Sequence, residues 1–243
     1  MSKETAALRG VIALDGPSGT GKTTAARGLA SRLGAGYLDT GAMYRVVALA
    51  ALRTGTDVGS ADAVTELARR IELSIGTDPA TPRVLLDGAD VTAEIRAPEV
   101  DRVVSPVAAV AAVRELLVAG QRRIIAAVLN GVGGIVVDGR DIGTVVVPDA
   151  PLKVFLTASA DTRAARRDAQ NTAAGLASDR EAARESVEGR DRIDTTRAAS
   201  PLKAADDAVL LDTSDLDREQ VLTELAELAR ERGLLDEPAE ATR

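Results

Sequence analysis

The chain has 243 residues, 45% of them apolar, enough for one large hydrophobic core or two small ones. It contains no Cys, which excludes disulfides, thiolate nucleophiles and Cys-held metals. It contains no His either, which excludes His-activated nucleophiles and removes the commonest zinc ligand. A net charge of −7 with 1% aromatic residues argues against a nucleic acid partner, which calls for a basic field and stacking rings. Met1-Ser2-Lys3-Glu4 is polar, unlike a secretory leader, and the nearest long apolar run, Val103 to Val113, carries Ser105 and Pro106. We expect a soluble, cytoplasmic protein with no membrane partner, and a monomer by default.

An apolar run, Val11 to Leu14, leads into Gly16-Pro17-Ser18-Gly19-Thr20-Gly21-Lys22-Thr23, and a segment reading as a helix through Leu33 follows. The pattern G-x-x-x-x-G-K-[ST] between strand and helix is a phosphate-binding loop. Its glycines let the backbone curl so that successive N–H groups face a concavity suited to an anion, and the helix N-terminus adds its positive end. Lys22 then reaches the β- and γ-phosphates, and the Thr23 hydroxyl ligates Mg²⁺. Four fixed positions match by chance about one time in a hundred in a chain this long. The flanking strand and helix lower that further, and the loop implies a nucleoside triphosphate.

Strand and helix then alternate. Ala25, Leu29 and Leu33, with Ala26 and Ala30, form one apolar helix face, and Gly34 and Gly36 end it. Tyr37-Leu38 is a short strand, and Asp39-Thr40-Gly41 opens a helix that carries Tyr44 and Arg45 and breaks at Gly55. From Leu73 the texture changes. Leu73-Ser74-Ile75, Val84-Leu85-Leu86 and Val91-Thr92 read as short antiparallel strands separated by turn residues, an inserted subdomain. Two helical segments are expected next, the longer from about Pro106 to Leu129, its apolar surface interrupted by Arg114, Gln121, Arg122 and Arg123.

Ile135-Val136-Val137 reads as a buried parallel strand ending in Asp138-Gly139-Arg140-Asp141, and Leu152 to Leu156 and Ala208 to Leu211 as two more. Asp161 to Arg197 is helical and too polar to be core. A last helix starts near Asp217 with Gln220 completing a capping box, and the tail from Asp236 is expected to fray. Five apolar strands alternating with helices give an α/β, doubly wound parallel sheet whose site lies at the strands' C-terminal ends.

Any single arginine is by default a solvated surface residue. That default weakens for Arg140, which follows a buried strand at the active edge, and for Arg190, Asp191, Asp194 and Arg197, whose spacing puts them on one helix face. Tyr44 is by default a packing residue, and its place one turn after a strand end equally suits stacking on a ring.

Gly16 to Thr23, Asp39 to Arg45, Asp138 to Thr144 and Arg190-Asp191-x-x-Asp194-x-x-Arg197 together resemble bacterial cytidylate kinases. Asp90-Val91-Thr92 with Ile95-Arg96, and Pro148 to Leu156, share the resemblance, which spans about Val11 to Leu228. It implies transfer of the γ-phosphoryl of ATP to CMP or dCMP, in pyrimidine nucleotide metabolism, with Mg²⁺ as cofactor. It implies one domain with core segments 11–60, 130–160 and 200–232, an acceptor-binding insert at about 62–104 and a helical lid at about 161–190. Gly16 to Thr24 would hold ATP, and Lys22 and Arg140 would be catalytic. Arg45 and Arg140 would hold the acceptor's phosphate. Ser105, Arg114 and Asp141 would read cytosine with Arg197 nearby, and Arg190 and Asp194 would hold the sugar; Thr40 and Tyr44 complete the acceptor set. Arg163, Arg166 and Arg167 resemble lid arginines that close over the phosphates, whereas 168–188 is the least family-like stretch. Two other readings stay open: a kinase for a different small acceptor, and a regulatory GTPase-type switch, although no Asn-Lys-x-Asp guanine reader occurs.

Overall fold

The computed structural model describes residues 7–173, 175 and 179–236. Its centre is a five-stranded, all-parallel sheet of β1 (Gly10–Asp15), β2 (Gly36–Asp39), β6 (Gly134–Asp138), β7 (Leu152–Thr157) and β8 (Val209–Asp212), in the order β2-β6-β1-β7-β8. Alternation along the strands decides which side each residue serves. In β1, Val11 and Ala13 join the core on one face, and Ile12 and Leu14 join the core on the other. Helices α1 (Lys22–Arg32) and α8 (Arg218–Glu231) cover the second face, with Leu29 and Leu225 wholly buried there. The first face packs against α2 (Thr40–Thr54) and α5 (Ala111–Gly131), while the short β8 closes one sheet edge with Leu210 exposed.

Local sequence explains several boundaries. The Asp39 carboxylate accepts the Ala42 N–H and so caps α2, and Gly55, in the left-handed region, ends it. Asp217 and Gln220 make the expected capping box. The small sheet is antiparallel, of β3 (Leu73–Ile75), β4 (Val84–Leu86) and β5 (Ala89–Asp90). Its third strand lies two residues earlier than expected, because the Asp87-Gly88 turn, both residues at positive φ, pairs Ala89 directly with Leu86. The expected fraying of the tail beyond Asp236 lies outside the described residues.

Two helices differ from expectation. Ala61–Arg70 is a helix, α3, capped by Ser60 and buried through Val64 and Leu67. The boundary between the two helical segments falls later than expected: α4 (Pro98–Ala109) contains Pro106, and the chain breaks at Val110, where extended backbone bends α4 and α5 by 96°. Arg114 and Gln121, expected to interrupt the apolar surface of the longer segment, are themselves buried. The Arg114 guanidinium donates to the Ala108 carbonyl at 3.1 Å, satisfying the C-terminus of α4 with a cation. The polar stretch after β7 folds as α6 (Ala160–Ala173) and α7 (Arg180–Thr196), packed against each other. Among the described residues no single helix is long and apolar enough to cross a membrane.

Leu225→Ala removes a wholly buried side chain between α8 and the sheet. We expect a loss of about 2–5 kcal/mol in denaturant unfolding, with turnover per folded molecule unchanged.

Candidate active site

The loop after β1 wraps the N-terminus of α1. A Cβ on Gly16 would stand 2.2 Å from the Leu156 carbonyl oxygen, so the loop passes β7 at a distance that no side chain permits. Lys22 is buried, and its ammonium donates to the Pro17 carbonyl at 2.6 Å and to the Thr20 hydroxyl at 3.3 Å. Burial first, and then the nearby Arg140, push that ammonium well below its ordinary range. The Ser18 N–H donates to the Asp191 carboxylate at 3.0 Å, so a carboxylate of α7 already engages one loop N–H. Thr24 is exposed at the cleft mouth.

Carboxylates gather at the strand ends because register puts them there. Asp39 of β2 pairs directly with Asp138 of β6, and Leu14 pairs with Asp138 on the other side. Asp138 accepts the Thr23 hydroxyl at 2.8 Å and the Tyr37 hydroxyl at 3.0 Å, and the Thr40 hydroxyl donates to its backbone carbonyl at 2.8 Å. Burial and the adjacent Asp39 push the Asp138 carboxyl up to about 7. Asp39 itself is held down against its own burial by Arg96, with which it forms an ion pair. Asp15 accepts the N–H groups of Ile142 and Gly143, both at 2.8 Å, and so ties the loop after β6 to the end of β1; burial pushes its carboxyl up to about 6.

Beyond these carboxylates opens a cleft of about 840 Å³ that reaches from the loop to Arg45, Asp101, Arg140 and Arg190. A side chamber of about 80 Å³ joins it, lined by Tyr44, Ser105, Arg114, Asp141, Asp194 and Arg197 among others. In the chamber Arg114 pairs with Asp141, both buried, and the guanidinium carbon lies 5.2 Å from the Tyr44 ring centroid. Asp194 accepts Arg140 Nε at 3.0 Å and pairs with Arg197 at 3.6 Å. Arg45 donates to the Ile95 carbonyl at 2.9 Å and to Asp101 at 2.5 Å, and Arg190 reaches the same Asp101 oxygen at 3.2 Å. Arg114 Nε, Arg190 Nε and Arg197 Nη2 are buried without a hydrogen-bond partner among the described residues.

Of the arginines expected in the lid, two reach the loop. Arg163 donates to the Ser18 carbonyl at 3.2 Å and pairs with Asp191. Arg166 is anchored on the carbonyls of Thr20, at 3.1 Å, and Thr213, at 2.7 Å. Arg167 pairs with Asp101 instead.

Strand order, phosphate loop and arginine-lined cleft define a P-loop phosphotransferase. The cytidylate kinase family model matches residues 12–231. A cytidylate kinase of Mycobacterium avium is 54% identical over 91% of this chain and 96% of its own length. One of Rhodococcus opacus is 54% identical over 91% of this chain and 95% of its own. A solved structure of an uncharacterized protein from Eubacterium ventriosum shares the fold, with a TM-score of 0.52 at 11% identity over 92% of this chain and 99% of that one. The chain belongs to the cytidylate kinase family.

Every acceptor-side residue expected from sequence, Thr40, Tyr44, Arg45, Ser105, Arg114, Arg140, Asp141, Arg190, Asp194 and Arg197, lines the side chamber. The expectation omitted Asp101, which gathers three arginines, and Asp138, the partner of Thr23. Asp138 was legible as the first residue of the strand-end motif; Asp101 had no signal beyond its place in the first turn of α4.

The chain has no His or Cys, and Asp15 and Asp138 are carboxyls pushed up to about 6 and about 7, into the range between pH 5 and 8. Both bind protons more tightly folded than unfolded, so their contribution destabilises the fold as pH rises from about 4 to about 7. We expect Asp138→Asn to flatten that decline in melting temperatures measured across pH 4 to 8 without ligand.

Proposed function

We propose that the protein moves the γ-phosphoryl group of ATP to CMP or dCMP, giving ADP with CDP or dCDP. The observation that carries this reading is the buried Arg114–Asp141 pair, with Arg114 Nε free, in a small chamber opening onto an arginine-lined cleft beside a phosphate loop. Family membership over most of the chain supports it.

Cytosine accepts at N3 and O2 and donates from N4, so Arg114 and Arg197 supply donors and Asp141 the acceptor. Uracil would set its O4 against the Asp141 carboxylate, an unpaired contact that a dry chamber penalises heavily. Ser105 and Tyr44 line the same chamber. Arg45 and Arg140 hold the acceptor's phosphate at the cleft floor, and Asp194 with Arg190 holds the sugar. On the donor side the loop Gly16 to Thr24 cradles the phosphates with the N–H groups of its residues other than Pro17, and Lys22 neutralises charge developing on the transferred group.

Mg²⁺ fits beside Thr23, whose hydroxyl faces the Asp138 carboxylate. No cluster of three or more acidic, His or Cys ligands exists among the described residues, and Mg²⁺ on substrate phosphates needs only one or two protein oxygens. When bound, the ion neutralises phosphate charge and orients the β- and γ-oxygens. Residues 62–104 serve as the acceptor-binding insert and 161–190 as the lid, whose closure keeps water from the γ-phosphate.

ADP formation with CMP, dCMP, UMP, AMP or no acceptor tests this directly. We expect strong turnover with CMP and dCMP alone; equal turnover without acceptor would leave only an ATPase. Lys22→Ala and Arg140→Ala should each lower turnover by about 100-fold or more with circular dichroism unchanged. Asp141→Asn should cost CMP on the order of 100-fold in kcat/KM while narrowing its advantage over UMP.

A further inference from the structure

The acceptor-phosphate region already holds an anion of its own. Asp101, in the first turn of α4, receives Arg45 of α2 at 2.5 Å and Arg190 of α7 at 3.2 Å, and pairs with Arg167 of α6. These arginines come from three separate helices, two of them in the lid stretch, and each is largely buried, with side-chain exposures of 9, 17 and 20%. Burial pushes the Asp101 carboxyl up, but Arg45, Arg190 and Arg167 outweigh it and hold the group below the ordinary carboxylate range. The carboxylate is therefore charged, and it offers two oxygens to three guanidiniums, the arrangement a phosphate monoester would otherwise take.

We propose that Asp101 is a stand-in for the acceptor's phosphate: an incoming phosphate displaces its carboxylate from Arg45, and the displacement releases Arg167, unclasping α6 from α4. The proposal rests on the acceptor-site reading above for the identity of the phosphate, not for the existence of the cradle. Two consequences separate it from a purely structural role. An anion that competes with the ligand weakens the ligand's binding, so neutralising it tightens binding; an anion that only positions arginines has the opposite effect. The effect is also confined to ligands that carry phosphate, because the base chamber is held by the separate Arg114–Asp141 pair.

The test is calorimetric titration of the wild type, Asp101→Asn and Asp101→Glu with CMP, with cytidine, and with inorganic phosphate in the presence of Mg·ADP to fill the donor loop. We expect Asp101→Asn to tighten CMP and inorganic phosphate on the order of tenfold and leave cytidine unchanged. Asp101→Glu, which keeps the charge, should stay near wild type. Weaker or unchanged binding of CMP and phosphate by Asp101→Asn, or an equal change for cytidine, overturns the proposal. If CMP binds none of the proteins while phosphate still tightens, the cytidylate reading fails and the displacement stands. Should Asp101→Asn fail to fold, arginine side-chain NMR of the wild type decides. The Arg167 guanidinium signals must shift when phosphate is added with Mg·ADP present, and unmoved signals overturn the proposal.

Discussion

A site that binds two polyanions must crowd cations together, and crowded cations repel. Here that repulsion is answered one carboxylate at a time: Asp141 for Arg114, Asp194 for Arg140 and Arg197, Asp191 for Arg163, and Asp101 for Arg45, Arg167 and Arg190. Most of these groups are buried or half-buried, so each pair interacts at a lower effective dielectric than a surface pair. Removing one partner leaves a buried charge uncompensated, which costs more than the pair itself contributes. The rest of the architecture can be read as the means of holding those carboxylates at the right depth. Asp138 and Asp39 reach it by sheet register, Asp141 through the loop that Asp15 ties down, and Asp191 and Asp194 from one helix face.

The same pairing links elements distant in sequence. Asp191 lies 173 residues from Ser18 and Asp138 lies 115 from Thr23, yet each contact fixes the loop that wraps α1. Lys22, meanwhile, folds back onto the loop's own Pro17 carbonyl. The phosphate loop is thus shaped by its glycines but oriented by carboxylates from β6 and α7, with side chains of α6 also against it.

Much of this was legible from sequence because the signals are local. Gly16 to Thr23, the Asp39 cap and Asp138 to Asp141 each combine a strand end with turn chemistry that has few alternatives. Helix α3 was also legible in principle, since Ser60 caps it and Val64, Leu67 and Ile71 fall at helical spacing, although it lies beside the short strands of the insert. The break at Val110 was not, because Pro106 is the stronger local signal, and α4 accommodates it while a guanidinium from the next helix, Arg114, satisfies the last turn. Asp101 illustrates the deeper limit. An acidic residue in a helix's first turn is ordinary, and only the convergence of α2, α6 and α7 on it gives it meaning.

The sheet's outer strand has a bearing on how the protein behaves when concentrated. Strand β8 spans only Val209–Asp212 and presents Leu210 to solvent, with 67% of that residue exposed. An open edge carrying an apolar side chain is a template for a second strand. Asp206 and Asp207 precede it, and Asp212 and Asp215 close and follow it, so two such edges brought together would oppose carboxylates at both ends. Lys153 is already committed to Asp207 at 2.9 Å. The acidity concentrated there therefore acts as a colloidal guard, and its strength depends on ionic strength: high salt screens the guard and leaves the apolar contact untouched.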